Sequence, residues 1–186
     1  MRHTQTASID RLPPAPDLRL IDPLVVDRTR FNADRSHRFT LFRRWPGGDP
    51  DNPLVVIGMN PSGADEAAGD RTVNKCCGYA RRWGFGGLYM LNAMSVRLTN
   101  STDLASIPCV NLPENDRWIR SIVRDASLVV VAWGNPGGVF ERGAAVETIL
   151  RDECLASAVR CFGKNRNGSP VHPLYQRNDA VLVPYF

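Results

Sequence analysis

Polar side chains stand where two apolar runs of this sequence end. Asn60 follows the run at residues 54–58, and Asn92 comes directly after the run at residues 88–91. An apolar run that stops at a polar residue and a turn places that residue at the carboxyl end of a buried strand. Open α/β sheets bind their ligands at that end. A carboxamide carries a hydrogen-bond donor and an acceptor, so both side chains are suited to recognising a polar ligand.

The elements that must position these residues alternate along the chain. Apolar runs predict strands, at residues 54–58, 88–91, 128–132 and 158–162. Apolar residues at helical spacing predict helices, at residues 72–83, 113–125 and 141–153. The alternation indicates an α/β fold, a three-layer αβα sandwich with a largely parallel central sheet. Each of these strands ends in a polar or glycine-containing segment. We therefore expect Trp133, Gly134 and the loop of His172 to lie beside Asn60 and Asn92 at the rim of the sheet, the edge formed by the carboxyl ends of its strands.

The start of the chain differs in composition from the rest. Residues 1–35 contain four prolines among scattered charges and predict an extended or poorly ordered arm, with at most a short strand at residues 24–26. Residues 36–186 are expected to form a single α/β domain. The alternating residues 37–45 predict a further strand, which the turn at residues 46–50 would join to strand 54–58 as a hairpin. Asp70 or Thr72 is expected to cap the helix at 72–83, and Asn111 the helix at 113–125.

Length, charge and cysteine usage narrow the class of protein. A chain of 186 residues suits one core, and a net charge of +4 tolerates an anionic partner without requiring one. No apolar run approaches the roughly 18–20 residues of a membrane helix, and the first 20 residues lack the apolar region of a signal peptide. The five cysteines are odd in number and lack C-x-x-C spacing, which predicts reduced, mostly buried thiols in a cytoplasmic protein and no metal site.

Short motifs of the sequence resemble, in order, those of the uracil-DNA glycosylase superfamily: GMNPS, LYMLNAMSVR, VVVAWGN and VHPLY. The first is most similar to the motif of the single-strand-selective and mismatch-specific branches. A closer resemblance, over about residues 37–185, is to the bacterial family called domain of unknown function 1643. It is carried by GMNPSGAD, RRWGFGGLYMLN, PEND and the G-S-P-x-HPLY segment. The resemblance implies a fold like that of the uracil-DNA glycosylases.

The resemblance also implies roles for residues at the rim. Asn60 matches the Asn that positions the water attacking the sugar C1′ in the mismatch-specific branch, and Asn92 matches the Asn that reads the base edge. His172 matches a His whose donor stabilises charge on the leaving base or holds a phosphate. Their neighbours are expected to bind substrate: Met59, Pro61, Ser62, Trp133, Gly134 and Asn135. Basic residues are expected to bind phosphate or nucleic acid: Arg71, Lys75, Arg97, Lys164 and Arg166.

The sequence departs from the glycosylase motifs at several positions. Ser62 replaces a usual Gly, and His172 is followed by Pro-Leu-Tyr instead of Pro-Ser and a small or apolar wedge. Position 60 is Asn, so the branch that uses an Asp in this motif has no counterpart here. Asp70 and Asp116 are the carboxylates expected to substitute in catalysis.

Each of these residues also has a purely structural interpretation. An Asn after a strand commonly bonds its own turn, and a His before Pro commonly orders a loop. Asp70 and Asp116 are typical helix-cap residues, and the basic residues fit a solvated helix face. The glycines of residues 134–138 fit a turn and match no phosphate-binding fingerprint. The convergence of several such features on one edge of the sheet favours a ligand site.

The predicted function is cleavage of an N-glycosidic bond, in damaged or modified DNA or in a nucleoside or nucleotide, with a water positioned by Asn60. This reaction produces an oxocarbenium-like sugar and an anionic base, so it requires a held water, hydrogen bonds to the base edge and a donor at the departing oxygen. It requires no metal or cofactor. The alternatives are a non-catalytic nucleotide- or nucleic-acid-binding module on the same fold, and a scaffold protein without a pocket.

Overall fold

A seven-stranded mixed sheet organises the chain in the computed structural model, which describes residues 16–99, 101–135, 141–154 and 156–186. The strands are β1 (Arg30–Phe31), β2 (Arg38–Arg44), β3 (Pro53–Gly58), β4 (Gly87–Asn92), β5 (Val129–Val131), β6 (Val159–Cys161) and β7 (Val183–Pro184). Their order across the sheet is β1-β2-β4-β3-β5-β6-β7. The four central strands, β4, β3, β5 and β6, run parallel, whereas β2 and β7 join them antiparallel. The predicted α/β class with a parallel centre is confirmed.

Helices cover both faces of this sheet. The described residues contain α1 (Pro23–Arg28), α2 (Arg71–Arg82), α3 (Pro113–Val123) and α4 (Arg142–Glu153). Alternate residues of β3 face opposite sides: Val56 packs in one core cluster with α2, and Val55 packs in the other with α3 and α4. Because side chains of a strand alternate with a period of two, an entirely apolar strand such as β3 requires a helix layer on each side.

The helices begin and end close to the predicted residues, but their caps differ. Asp70 caps α2, since its carboxylate accepts a hydrogen bond from the Val73 amide at 2.8 Å. Asn111 does not cap α3 as predicted. The N-cap is Leu112, which makes no side-chain cap bond, and Pro113 fills the first turn. Proline lacks an amide hydrogen and has its φ fixed near the helical value, so this helix can start without a side-chain acceptor.

The described part of the N-terminal segment is helical where a strand was predicted. Residues 24–26 belong to α1, with Asp22 as the N-cap and Pro23 as the first helical residue. Asp followed by Pro is a helix-start signal that outweighs the β preference of the two valines. Val25 is buried, and α1 packs against β2, so this stretch belongs to the folded domain. Residues 1–15 lie outside the described residues.

The predicted hairpin between β2 and β3 is wrong. β2 pairs with β4 instead, with Arg44 opposite Gly87, and β3 lies on the other side of β4. The connection at residues 45–52 therefore crosses the start of β4, where a Cβ on Gly48 would overlap the backbone of Gly86. A turn between consecutive strands does not fix their pairing. β3, apolar on both faces, takes a central place with a neighbour on each edge.

Two further properties concern the chain as a whole. No helix in the described ranges is long and apolar enough to cross a lipid bilayer. All five cysteines are free. Cys76 and Cys161 are buried as predicted, Cys77 and Cys154 are partly buried, and Cys109 is exposed.

Candidate functional site

A pocket of about 550 Å³ opens at the carboxyl ends of β3, β4 and β5. The chain passes from β3 to β4 on one side and then crosses to β5 on the other, and such a switch point is where open α/β sheets bind ligands. Small-molecule sites are commonly roughly 300–1,000 Å³, so the pocket has the size of a ligand site. It is lined by most of the predicted site residues: Met59, Asn60, Ser62, Asp70, Asn92, Trp133, Gly134, Asn135 and His172.

Main-chain hydrogen bonds between loops give the pocket its shape. Beyond the ends of β3 and β4 the two segments stay paired, because the Ala93 amide donates to the Gly58 carbonyl at 2.9 Å. The loop at residues 163–172 is joined to the end of β5 by a hydrogen bond from the Gly134 amide to the Pro170 carbonyl, also at 2.9 Å. This second connection brings His172, from near the end of the chain, to the rim formed by the central strands.

The side-chain amide of Asn60 is oriented by the backbone around it. Its Nδ2 donates to the carbonyl groups of Pro61 at 3.0 Å and Leu98 at 2.9 Å. Both amide hydrogens are used in these bonds, which leaves Oδ1 to accept a hydrogen bond from a ligand or a water. Asn60 thus contributes an acceptor to the pocket, and its loop is fixed by the same amide.

The amide of Asn92 is oriented the opposite way. Its Oδ1 accepts from Nη2 of Arg38 at 2.9 Å, and no described residue accepts a hydrogen bond from its Nδ2. The Asn92 carbonyl in turn accepts from Nδ2 of the buried Asn115 at 2.9 Å. The side chain is 2% exposed and lines the pocket, beside the Cα of Gly58. Asn92 therefore offers a donor where Asn60 offers an acceptor.

His172 contributes a neutral imidazole to the pocket wall. Its Nδ1 accepts the Leu174 amide at 3.3 Å, at the start of the short 3₁₀ helix Pro173–Tyr175. A ring nitrogen that accepts carries no proton, so the neutral ring has its proton on Nε2. Burial lowers the pKa of His172 below its ordinary value, and the negative charge of Asp70 opposes this shift in part. At pH 7 the ring is uncharged, and Nε2 is its hydrogen-bond donor.

Asp70 places a carboxylate in the same wall. One oxygen caps α2, and the other accepts a hydrogen bond from the Ser62 hydroxyl. Ser62 stands where the glycosylase motif has Gly, and here its hydroxyl joins the loop after β3 to the start of α2. The structural interpretation of Asp70 as a cap is confirmed. Its charge also acts on the pocket, since it affects the pKa of both His172 and Arg38.

The other predicted site residues do not line the pocket: Pro61, Arg71, Lys75, Arg97, Asp116, Lys164 and Arg166. Asp116 forms an ion pair with Arg142 of α4. Nζ of Lys75 donates to main-chain carbonyls of the 3₁₀ segment, including that of Leu174 at 3.4 Å. Lys164 lies over the ring of Tyr185, 4.6 Å from its centroid. Arg71 and Arg166 are exposed. The glycines of residues 137 and 138 lie outside the described residues.

Three arginines, of which the sequence predicted only Arg97 at the site, hold the loop at residues 62–68. The carbonyls of residues 62 and 63 accept from Arg97 at 3.4 and 3.3 Å, and that of residue 64 accepts from Arg38 at 2.9 Å. Arg43 donates to the carbonyls of residues 65 and 68, the latter at 2.8 Å. Arg38 also lines the pocket. Arg38 and Arg43 lie in the strand predicted from the alternating residues 37–45, and nothing in that pattern distinguishes them from arginines on the surface.

The fold and the pocket define a class, an α/β protein with a pocket at the carboxyl ends of its parallel strands. The chain belongs to the family described as "Protein of unknown function (DUF1643)", whose model matches residues 38–174. That match includes Arg38, Asn60, Asn92 and His172, and it confirms the closer of the two resemblances. No curated protein and no solved structure gives a significant match. Within the described residues, no group of three His, Cys, Asp or Glu side chains is placed to bind a metal ion.

Proposed function

We propose that this protein is a nucleobase-recognising N-glycosidase, with a fold like that of the uracil-DNA glycosylases. It would cleave the glycosidic bond in damaged or modified DNA, or in a nucleoside or nucleotide. The observation that carries the proposal is the convergence of Asn60, Asn92 and His172 on one pocket, each with one hydrogen-bonding group left for a ligand.

The polarity of these groups suits the reaction. Oδ1 of Asn60 is an acceptor that can orient a water towards the sugar C1′. Nδ2 of Asn92 and Nε2 of His172 are donors that can bind an oxygen of the base. The C1′–N bond breaks with its electron pair on the base, the water oxygen bonds to C1′, and the proton lost by that water ends on the base. Asp70 supplies a negative charge that favours the cationic sugar.

The rim of the pocket supports a nucleic-acid ligand. Tyr175 is 83% exposed, lines the pocket mouth and packs edge-on against His172, with the ring centroids 5.9 Å apart. An exposed aromatic ring beside a pocket that binds one base can stack on a neighbouring base. Arg71, the first residue of α2, is exposed next to the pocket residue Asp70 and can contact a phosphate.

Base release tests the proposal. The protein is incubated with single and double strands that contain uracil, hypoxanthine or hydroxymethyluracil, and with the matching nucleosides and nucleotides. Released base is measured by mass spectrometry. At least one substrate is expected to yield free base, and Asn60→Ala should lower that rate about 100-fold, since it removes the group that positions the water.

Asn178→Ala is the matched control, because Asn178 is an exposed asparagine outside this pocket. It should release base at the wild-type rate. No release from any member of the panel by the folded protein would refute the enzymatic proposal. If ligands then raise the melting temperature, equally in wild type and Asn60→Ala, the protein is a nucleotide- or nucleic-acid-binding module.

A further inference from the structure

Arg38 places a positive charge in the wall of the pocket, and no carboxylate of the described residues is close enough to form an ion pair with it. The residue lies at the start of β2, is 2% exposed, and is among the largest fully buried side chains of the described residues. No ion pair that the structure records within the described ranges includes it, although it lines the pocket. Arginine is rarely buried unless its charge is paired, so this position calls for an explanation.

The guanidinium has neutral partners for only part of its hydrogen-bonding capacity. Nη1 donates to the Ala64 carbonyl at 2.9 Å, and Nη2 donates to Oδ1 of Asn92 at 2.9 Å. Nε is buried and has no acceptor among the described residues. The described residues thus satisfy the guanidinium only in part, whereas buried polar groups are almost always paired.

The charges around Arg38 do not cancel its own. Burial lowers its pKa to about 9, which leaves the side chain charged at pH 7, and Asp70 and Asp65 attract it while Arg97 and Arg43 repel it. Asp70 is the strongest of these charged neighbours, but it forms no ion pair with Arg38, and the two guanidinium groups offset part of its attraction. A negative charge brought into the pocket would balance it in a region of low dielectric, where charges interact more strongly than in water.

Asn92 carries the effect of Arg38 to the ligand. The hydrogen bond from the guanidinium to Oδ1 fixes the amide with Nδ2 towards the pocket, and it draws electron density from Nδ2. A donor polarised in this way forms stronger bonds to an acceptor, because hydrogen bonds in a chain reinforce one another. The gain is larger for an anionic acceptor than for a neutral one.

We infer that Arg38 is a positioning residue that makes the pocket selective for an anionic oxo-heterocycle, a nucleobase with negative charge on an exocyclic oxygen, over the neutral base of similar shape. The inference rests on the proposed function in taking the ligand to be a nucleobase. It adds that the departing base is stabilised as an anion by the charge of Arg38. Arg38 lies behind Asn92 and does not itself touch the base.

Binding of two free pyrimidines tests this without turnover. Barbiturate is an anion at pH 7, whereas uracil is neutral at the same pH. Dissociation constants are measured by calorimetry or by ligand-induced thermal shift for the wild type, Arg38→Met and Arg38→Lys. The wild type should prefer barbiturate by about tenfold or more, as expected for a charge-assisted hydrogen bond. Comparing the preference between variants cancels the difference in shape between the two ligands.

Arg38→Met should lose the preference, and Arg38→Lys should restore part of it, because a lysine keeps the charge. A purely structural role would weaken both ligands equally. Asn92→Asp gives a second route if Arg38→Met does not fold. A carboxylate beside the guanidinium should raise the melting temperature and abolish barbiturate binding.

Four results would overturn the inference: a wild type that binds uracil as tightly as barbiturate, a wild type that binds neither, an Arg38→Met variant that keeps the preference, or an Asn92→Asp variant that keeps it. Base release is a separate measurement. An anion preference without base release refutes the proposed catalysis and leaves the role of Arg38 standing. Base release without an anion preference refutes only the role of Arg38.

Discussion

Gly58→Ala displaces the donor of Asn92 without removing any polar group from the pocket. A Cβ at this position would lie 2.7 Å from Cε of Met90 and 3.0 Å from Nδ2 of Asn92. Comfortable contacts between heavy atoms start near 3.5 Å, so the Met90 methyl group must withdraw by roughly 0.8 Å and the amide by roughly half an ångström. Met90 has a flexible side chain, but Asn92 is held through Oδ1 by Arg38. The amide can move only by distorting that hydrogen bond.

The expected loss follows from overpacking a rigid site. Adding a methyl group to a well-packed interior costs about 1–3 kcal/mol. For a chain of this size each kcal/mol lowers the melting temperature by about 2–4 °C, so we expect Gly58→Ala to melt roughly 2–12 °C below the wild type. Binding of a base should weaken about tenfold, since a displaced donor loses most of one hydrogen bond.

Gly78→Ala is the matched control for the same chemical change. Gly78 is exposed in the middle of α2, and a Cβ there meets no atom within 4 Å. Alanine in a helix interior is more favourable than glycine by about 0.5–1 kcal/mol, so this variant should be slightly more stable and bind base normally. Thermal unfolding and base-binding titrations of both variants decide the matter. If Gly58→Ala matches the wild type in stability and binding, the placement of the Asn92 amide over Gly58 is incorrect.

Three other predictions concern charge, pairing and backbone contact. Burial depresses the pKa of His172, so the folded protein keeps this ring neutral at pH values where the unfolded chain protonates it. The stability that the neutral ring contributes is therefore present above the ordinary pKa of about 6.5 and is lost as the pH falls below that value. Between pH 7.5 and 5 the urea midpoint should therefore fall more for the wild type than for His172→Gln. His37, whose pKa burial also lowers, is present in both proteins, so only the difference between them reports on His172. Equal falls would contradict this prediction. Arg35→Ala should lower the free energy of urea unfolding by about 3 kcal/mol, because it leaves the Glu66 carboxylate, whose side chain is 3% exposed, without its ion-pair partner. Adding Glu66→Gln, which removes the buried charge, should recover part of that loss. Gly48→Ala should lower the free energy of unfolding by about 2–3 kcal/mol, since the added Cβ would overlap the rigid backbone of Gly86. Gly63→Ala should lower it little, because a Cβ there has no atom within 4 Å.

Local patterns predicted the elements of this fold well and their pairing less well. The runs that became β3 and β4, and the stripe that became α2, depend on residues within one turn or one strand. The partner of β2 depends on which edge of the sheet is free after β3 and β4 have paired, and no residue near β2 encodes that. The helix α1 was missed because two valines suggested a strand, whereas the Asp22–Pro23 pair determined the outcome.

The site shows the same division between local and distant information. Asn60 and Asn92 could be predicted because a polar residue after an apolar strand is visible in the sequence, and His172 because its VHPLY segment resembles a glycosylase motif. All three line one pocket. The role of Arg38 could not be predicted, because its acceptors lie 26 and 54 residues further along the chain. Arg97 was predicted to bind phosphate, but its guanidinium donates to three carbonyls of the protein itself.

The arginines around residues 62–68 also have a consequence for how this family can change. They bind main-chain carbonyls, which every amino acid possesses, so these contacts do not depend on the side chains of the loop. Ala67 and Ala68 are exposed and can be exchanged while the backbone stays in place. Three other side chains of the loop make contacts of their own. Ser62 donates to Asp70, Glu66 forms an ion pair with Arg35, and the Asp65 carboxylate accepts the amides of both alanines at 2.9 Å. Variation in this family can therefore accumulate at residues 67 and 68 without loss of the loop's path.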